Sequence, residues 1–103
     1  MRVVYSRRAV GQLEALYAYI AGDSPQRAER FVSAIVDYCD GLDAFPLRGA
    51  PRDDIRPGLR IIGFRRRVTI AFTVDDAAVT ILGILYGGRD LLAALSEGED
   101  DPD

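Results

Sequence analysis

Histidine, lysine and tryptophan are missing from this 103-residue sequence, and cysteine and methionine occur once each. Without His, and with Cys39 alone, the common metal-ligand sets cannot be assembled and no disulfide can close within the chain. Neither a metal nor a cofactor is expected. Cys39 falls on a helical apolar stripe and reads as a small core residue rather than a reactive thiol. No apolar run approaches the roughly 18 to 20 residues that span a bilayer, and the start Met1-Arg-Val-Val-Tyr-Ser6 lacks the apolar region of a signal peptide. The expectation is a cytoplasmic chain with no membrane contact. With 103 residues, 49% of them hydrophobic, the chain builds one small domain and has no material for a second core.

What is present is arginine. All 13 basic residues are Arg, and the net charge of −3 conceals a split. Glu97, Glu99, Asp100, Asp101 and Asp103 crowd the end, so residues 1–96 carry 11 acidic against 13 basic residues and are net +2. Seven arginines (Arg48, Arg52, Arg56, Arg60, Arg65, Arg66 and Arg67) fall within twenty positions, opposed only by Asp53 and Asp54. Arginine stays protonated and is a poor acid or base, but its planar fork binds carboxylates and phosphates bidentately. The composition therefore favours recognition over proton transfer.

Residues 2–5 read as a short strand, with Val3 and Tyr5 on one face and Val4 on the other. Ser6 supplies an N-cap, and Ala9, Leu13, Leu16, Tyr17 and Ile20 follow helical spacing to about Ala21, with Gly22 at the end. Ser24 and Pro25 then form the cap and first position of a second helix, whose stripe is Ala28, Phe31, Val32, Ile35, Val36, Cys39 and Leu42. Phe45-Pro46 closes it. Residues 47–57 form a connection rich in Pro, Gly, Arg and Asp, without periodicity, of the kind that often carries function. A strand from Gly58 to Phe64, a turn at Arg65-Arg66, and a strand from Arg67 to Val74 follow, the last with Val68, Ile70, Phe72 and Val74 on one face. Asp75-Asp76 turns the chain into Val79 to Tyr86, the one stretch apolar on both faces and so the middle of the sheet.

The order strand, two helices, three strands predicts a two-layer α+β domain over residues 1–95, with the helical hairpin on one face of a four-stranded, mainly antiparallel sheet. The first strand should lie beside the last, which needs neighbours on both edges. Residues 89–95 are apolar enough for a strand extension or a helical turn, and 96–103 should form a disordered acidic tail. At the exit of the central strand, Gly87-Gly88 turns the chain, with Asp90 as a cap. The same corner could present Arg89 to an acidic partner or a phosphate.

Tyr5-Ser6, Tyr19-Ile20-Ala21, Ser24-Pro25 with Ala28 and Phe31, Phe45-Pro46 with Gly49 and Arg52, Pro57-Gly58-Leu59-Arg60, and Gly87-Gly88-Arg89-Asp90 together resemble the RelE/ParE superfamily of type II toxins, on the ParE side. The resemblance runs from residue 3 to about 92. It implies a small bacterial toxin of the plasmid-stabilisation kind, encoded beside a ParD-like antitoxin that keeps it harmless, with DNA touched only through that antitoxin or through the target. ParE-type members poison DNA gyrase, and RelE-type members cut messenger RNA on the ribosome.

RNA cleavage through the 2′-hydroxyl needs a proton acceptor, a proton donor and cations around the phosphate. This chain has the cations. In the ribonuclease reading, Arg60, Arg67, Tyr86 and Arg89 are the counterparts that the resemblance implies, with Tyr86 the only one of them suited to proton transfer. The preferred reading has no catalytic residue. Arg52, Arg56, Arg60, Arg65, Arg67, Tyr86 and Arg89 then serve target or antitoxin binding. Arg52, Arg56 and Arg60 should divide between Asp53 and Asp54 and the antitoxin's acidic side chains, and Arg65-Arg66-Arg67 reads foremost as a solvated hairpin tip. Tyr17 and Tyr38 are candidate anchors for an antitoxin helix, with ordinary core packing the first expectation for both. A third reading is a non-toxic module that only binds antitoxin.

Overall fold

The computed structural model describes residues 1–87. Strand β1 (Arg2–Tyr5) leads into helix α1 (Arg7–Ala21) and helix α2 (Pro25–Asp40). A 3₁₀ turn (Gly41–Ala44) follows, then strands β2 (Ala50–Pro51), β3 (Leu59–Phe64), β4 (Val68–Val74) and β5 (Ala78–Tyr86). Both helix starts are capped as the sequence dictates. Ser6 Oγ accepts from the Ala9 amide at 3.1 Å and Ser24 Oγ from the Arg27 amide at 3.2 Å, while Pro25 takes the first turn of α2.

The sheet runs β1-β5-β4-β3-β2, antiparallel except for the parallel β1–β5 pair. The expected neighbour relation of first and last strands holds, and β5 lies between β1 and β4. Five strands replace the expected four. The addition is β2, two residues inside the connection over 47–57, pairing Ala50 with Ile61 and Pro51 with Arg60. Its shortness and its proline suit a sheet edge and left no periodicity to read. The β3–β4 turn also takes Arg67, so β4 begins at Val68.

The helical hairpin covers one face. Ala9, Leu16, Ile35, Cys39 and Leu42 meet Val68, Ile70, Phe72, Val79, Ile81 and Ile84 in the main core. Full burial of a side chain the size of Phe72 or Ile35 contributes about 1.5–3 kcal/mol each. The opposite face holds a smaller cluster of Leu59 and Ala71 with Ile55, Ile61 and Leu82.

One irregularity directs the far end of β5. The register pairs Ala71 with Gly83 but Phe72 with Ile81, so Leu82 is an extra residue, a β-bulge. Before the bulge Val79 and Ile81 face the helices; after it Ile84 and Tyr86 do. The alternation has slipped by one, and Tyr86 reaches the helical side because of it. Side chains from around α1 satisfy the β5 edge beyond β1: Ser6 Oγ donates to the Leu82 carbonyl at 3.3 Å, and Gln12 Oε1 accepts from the Ile84 amide at 2.6 Å.

Candidate recognition cleft

Where α1 ends, α2 begins and β5 finishes, the molecule opens into a cleft of about 690 Å³. Ile20 and Phe31 line it from the helices, Tyr19 and Tyr86 stand at its side, and Arg27, Arg30 and Arg65 supply charge. The Tyr86 ring lies 6.3 Å from that of Tyr19 and 6.2 Å from that of Phe31, the latter edge-on at 82°. An apolar hollow of about 270 Å³, bounded by Ala15, Leu16 and Ile84, adjoins the cleft across the same two tyrosines. Tyr19 is 74% exposed, so its ring is presented rather than packed away.

The charge in the cleft is only partly neutralised. Asp23, its one lining carboxylate, takes a 2.8 Å ion pair from Arg27 four residues on. The Arg30 and Arg65 side chains make no hydrogen bond or ion pair among the described residues, although the Arg65 guanidinium lies 5.0 Å above the Phe64 ring. Arg65 and Arg66 both hold positive φ, 52° and 64°, a left-handed conformation that turns normally give to Gly or Asn. The cleft can receive a carboxylate or another anion, with an aromatic or aliphatic group settled beside it.

Of the residues singled out from sequence, Tyr86 and Arg65 come together here. Others do not. Arg60 lies opposite Phe72 and Tyr86 opposite Val68, four rungs apart on β4, a separation of roughly 13 Å along the strand. The Arg60 guanidinium donates to the carbonyls of Leu47 (2.6 Å), Arg48 (3.0 Å) and Gly49 (3.2 Å), and so holds the loop before β2. Arg52 grips Asp54 through two bonds of 2.9 and 2.8 Å, which lower the Asp54 carboxyl below its ordinary range. Asp53 instead accepts from the Gly58 amide at 2.8 Å. Arg56 and Arg67 make no side-chain hydrogen bond among the described residues, and Arg67 is exposed. Arg89, Asp90 and the expected tail lie outside the described residues.

Tyr38 is half-buried, its ring 5.0 Å from Phe64 with the Arg48 guanidinium 5.8 Å over it, so core packing stands. Tyr17 reverses the expectation. It is 38% exposed over a shallow hollow shared with Pro25 and Glu29, because Leu13, Leu16 and Ile20 already fill the buried stripe of α1.

The sequence reading missed Tyr19, Arg27 and Arg30 as cleft residues. Arg27 four positions after Asp23, and Tyr19 off the apolar stripe, were the available signals. It also took Phe45 only as a helix terminator. Phe45 and Leu47 are 64% and 69% exposed on the loop pinned by Arg60, with Arg48 lying 5.3 Å from the Phe45 ring.

A helical hairpin on a mixed sheet, with an arginine-lined cleft at the hairpin's bend, defines a small two-layer α+β domain. Its class is given by the family described as the ParE toxin of the type II toxin-antitoxin system parDE, whose model matches residues 3–91. The chain belongs to this family. It is 29% identical over 97 residues to Toxin ParE3 of Caulobacter vibrioides, covering 93% of this chain and 96% of that protein. Among solved structures it resembles the chromosomal ParDE toxin-antitoxin system from P. aeruginosa, with a TM-score of 0.72 and 28% identity over 84% of this chain and 96% of the other.

Proposed function

We propose that this toxin acts by binding, with DNA gyrase as its target, and that a cognate ParD-like antitoxin neutralises it in the cytoplasm. The observation that carries the binding mode is the separation of Arg60 from Tyr86 in a chain with neither His nor Lys. A ribonuclease would need cations and a proton-transfer group around one phosphate. Here Arg60 is spent on three backbone carbonyls. Gyrase as target and ParD-like control draw on membership of the parDE toxin family.

The cleft suits an acidic partner segment with an apolar anchor, because its arginines adjoin an apolar hollow. Purified protein should stabilise gyrase-dependent DNA cleavage and leave ribosome-bound messenger RNA intact. Cutting of that RNA with unaffected gyrase would install the second reading, for which the place of Tyr86 among the cleft arginines speaks. Expression without antitoxin should arrest growth; normal growth would favour a module that only binds antitoxin.

A further inference from the structure

We propose that the arginine cleft is a docking site for this chain's own acidic segment, Glu97 to Asp103, which serves as an internal competitor for the site. The inference does not depend on which target the toxin has. Three observations carry it.

The first is charge. Arg27, Arg30 and Arg65 line a cleft with a single carboxylate, Asp23, while five of the last seven residues are acidic. The body to residue 96 is net +2, so this segment is what reverses the sign of the chain. The second is position. Strand β5 ends at Tyr86, which itself lines the cleft, so the chain leaves the sheet at the cleft's edge. Nine residues, 88–96, join Gly87 to Glu97. Extended, they reach about 30 Å, ample for a cleft of 690 Å³. The third is backbone cost. Arg65 and Arg66 occupy a left-handed conformation that Gly or Asn would take with less strain. Cationic side chains at a strained tip beside a cleft are consistent with a use for their charge.

Each exposed guanidinium–carboxylate pair is weak and screened by salt. Tethering compensates, because a short linker supplies an effective concentration in the millimolar range. The contact is therefore partial and salt-sensitive, and it requires no regular secondary structure. An acidic partner would have to displace the segment, so the toxin's cleft would discriminate against weak anionic ligands while still admitting a partner that adds an apolar anchor.

The test compares the full chain with a full-length variant whose five tail carboxylates become amides (Glu97→Gln, Glu99→Gln, Asp100→Asn, Asp101→Asn and Asp103→Asn). The readout is the arginine side-chain Nε–Hε resonances. At about 50 mM salt, where the Debye length exceeds 10 Å, the resonances of Arg30 and Arg65 should differ between the two proteins. They should converge near 1 M salt. Adding the peptide Ser-Glu-Gly-Glu-Asp-Asp-Pro-Asp to the amide variant at millimolar concentration should move the same resonances back, and Arg30→Gln should shrink the response that remains at Arg65. Superimposable low-salt spectra would overturn the proposal. So would shifts confined to Arg48, Arg52 or Arg56, which would place the segment on the loop. Shifts that grow with protein concentration would assign the contact to a second copy instead.

Discussion

Two sets of arginines divide this molecule. In the segment 47–60 all but Arg56 are spent inside: Arg60 on three carbonyls, Arg52 on Asp54, Arg48 against the rings of Tyr38 and Phe45. Around the cleft, Arg30 has no such partner among the described residues, Arg65 has only the ring of Phe64, and Arg27 shares one carboxylate. The arginines of the one loop segment are thus less available than those that the fold gathers at the cleft. An irregular loop exposes carbonyls that no ladder satisfies, and the fork of Arg60 reaches three at once. Charge crowded along a chain can mark a place that needs internal donors, whereas charge from a helix and a distant turn, gathered by the fold, marks a surface for something else.

The sharpest way to break this contrast is at Gly49. Its φ is +77°, and an added Cβ would collide with the Ile61 carbonyl oxygen across the β2–β3 pair. Gly49→Ala should cost about 3 kcal/mol or more, combining left-handed strain with the clash. Chemical denaturation would read the loss. A near-normal midpoint would mean that the loop can move away and that Arg60 does not hold it. Arg60→Ala should cost less, about 1–2 kcal/mol for charge-assisted bonds on a partly exposed group. Arg60→Lys should recover little, since one ammonium cannot span three carbonyls. Full recovery by Lys would reduce Arg60 to a point charge.

Most of the architecture was legible because it rests on periodicity. Ser6 and Ser24 announced the helix starts, the alternation of Val68, Ile70, Phe72 and Val74 announced β4, and the two-sided apolarity of Val79 to Tyr86 announced an interior strand, although β4 and not β5 holds the middle of the five. What escaped has no periodic signature. Strand β2 is two residues long, and the bulge at Leu82 is a single inserted residue that changes which face Tyr86 occupies. The cleft escaped for another reason: Tyr19, Arg30, Arg65 and Tyr86 come from four elements, and only the tertiary fold brings them together. Tyr17 was misplaced because a helix stripe predicts direction only to within about one position.

A polar pair near the main core extends the spent-inside category to pH. Tyr5 donates to Asp40 Oδ1 at 2.7 Å, and Cys39 is buried beside them. Burial, then the Asp40 charge, pushes the Cys39 thiol from 9.0 up to about 12. Burial, then the bond to Asp40, raises the Tyr5 phenol as well. Both folded pKa values lie above the unfolded ones, so their contribution to stability is complete below about pH 9 and declines as pH climbs toward 12. The urea midpoint should stay level from pH 7 to about 8.5 and fall above pH 9, and a thiol reagent at pH 8 should label only unfolded chain. Rapid labelling of the folded protein would mean that this region opens easily and does not belong with the pinned loop.

The smallest expected effect on stability tests the other half of the contrast. Arg65→Asn places a residue that tolerates positive φ at 52° in the β3–β4 turn, where Arg is strained. The hairpin should gain roughly 0.5–1 kcal/mol, since an L residue of ordinary shape pays about 1–2 kcal/mol there. The same change removes one of three guanidinium groups from the cleft. A more stable protein with weaker, less salt-dependent binding of acidic ligands is the outcome expected if Arg65 is kept for its charge. Growth-arrest strength and thermal midpoint, measured on the same variant, separate the two contributions. If stability rises while binding and toxicity are unchanged, the hairpin tip is only a solvated turn, and the free charge of the cleft rests on Arg30, since Arg27 is paired with Asp23.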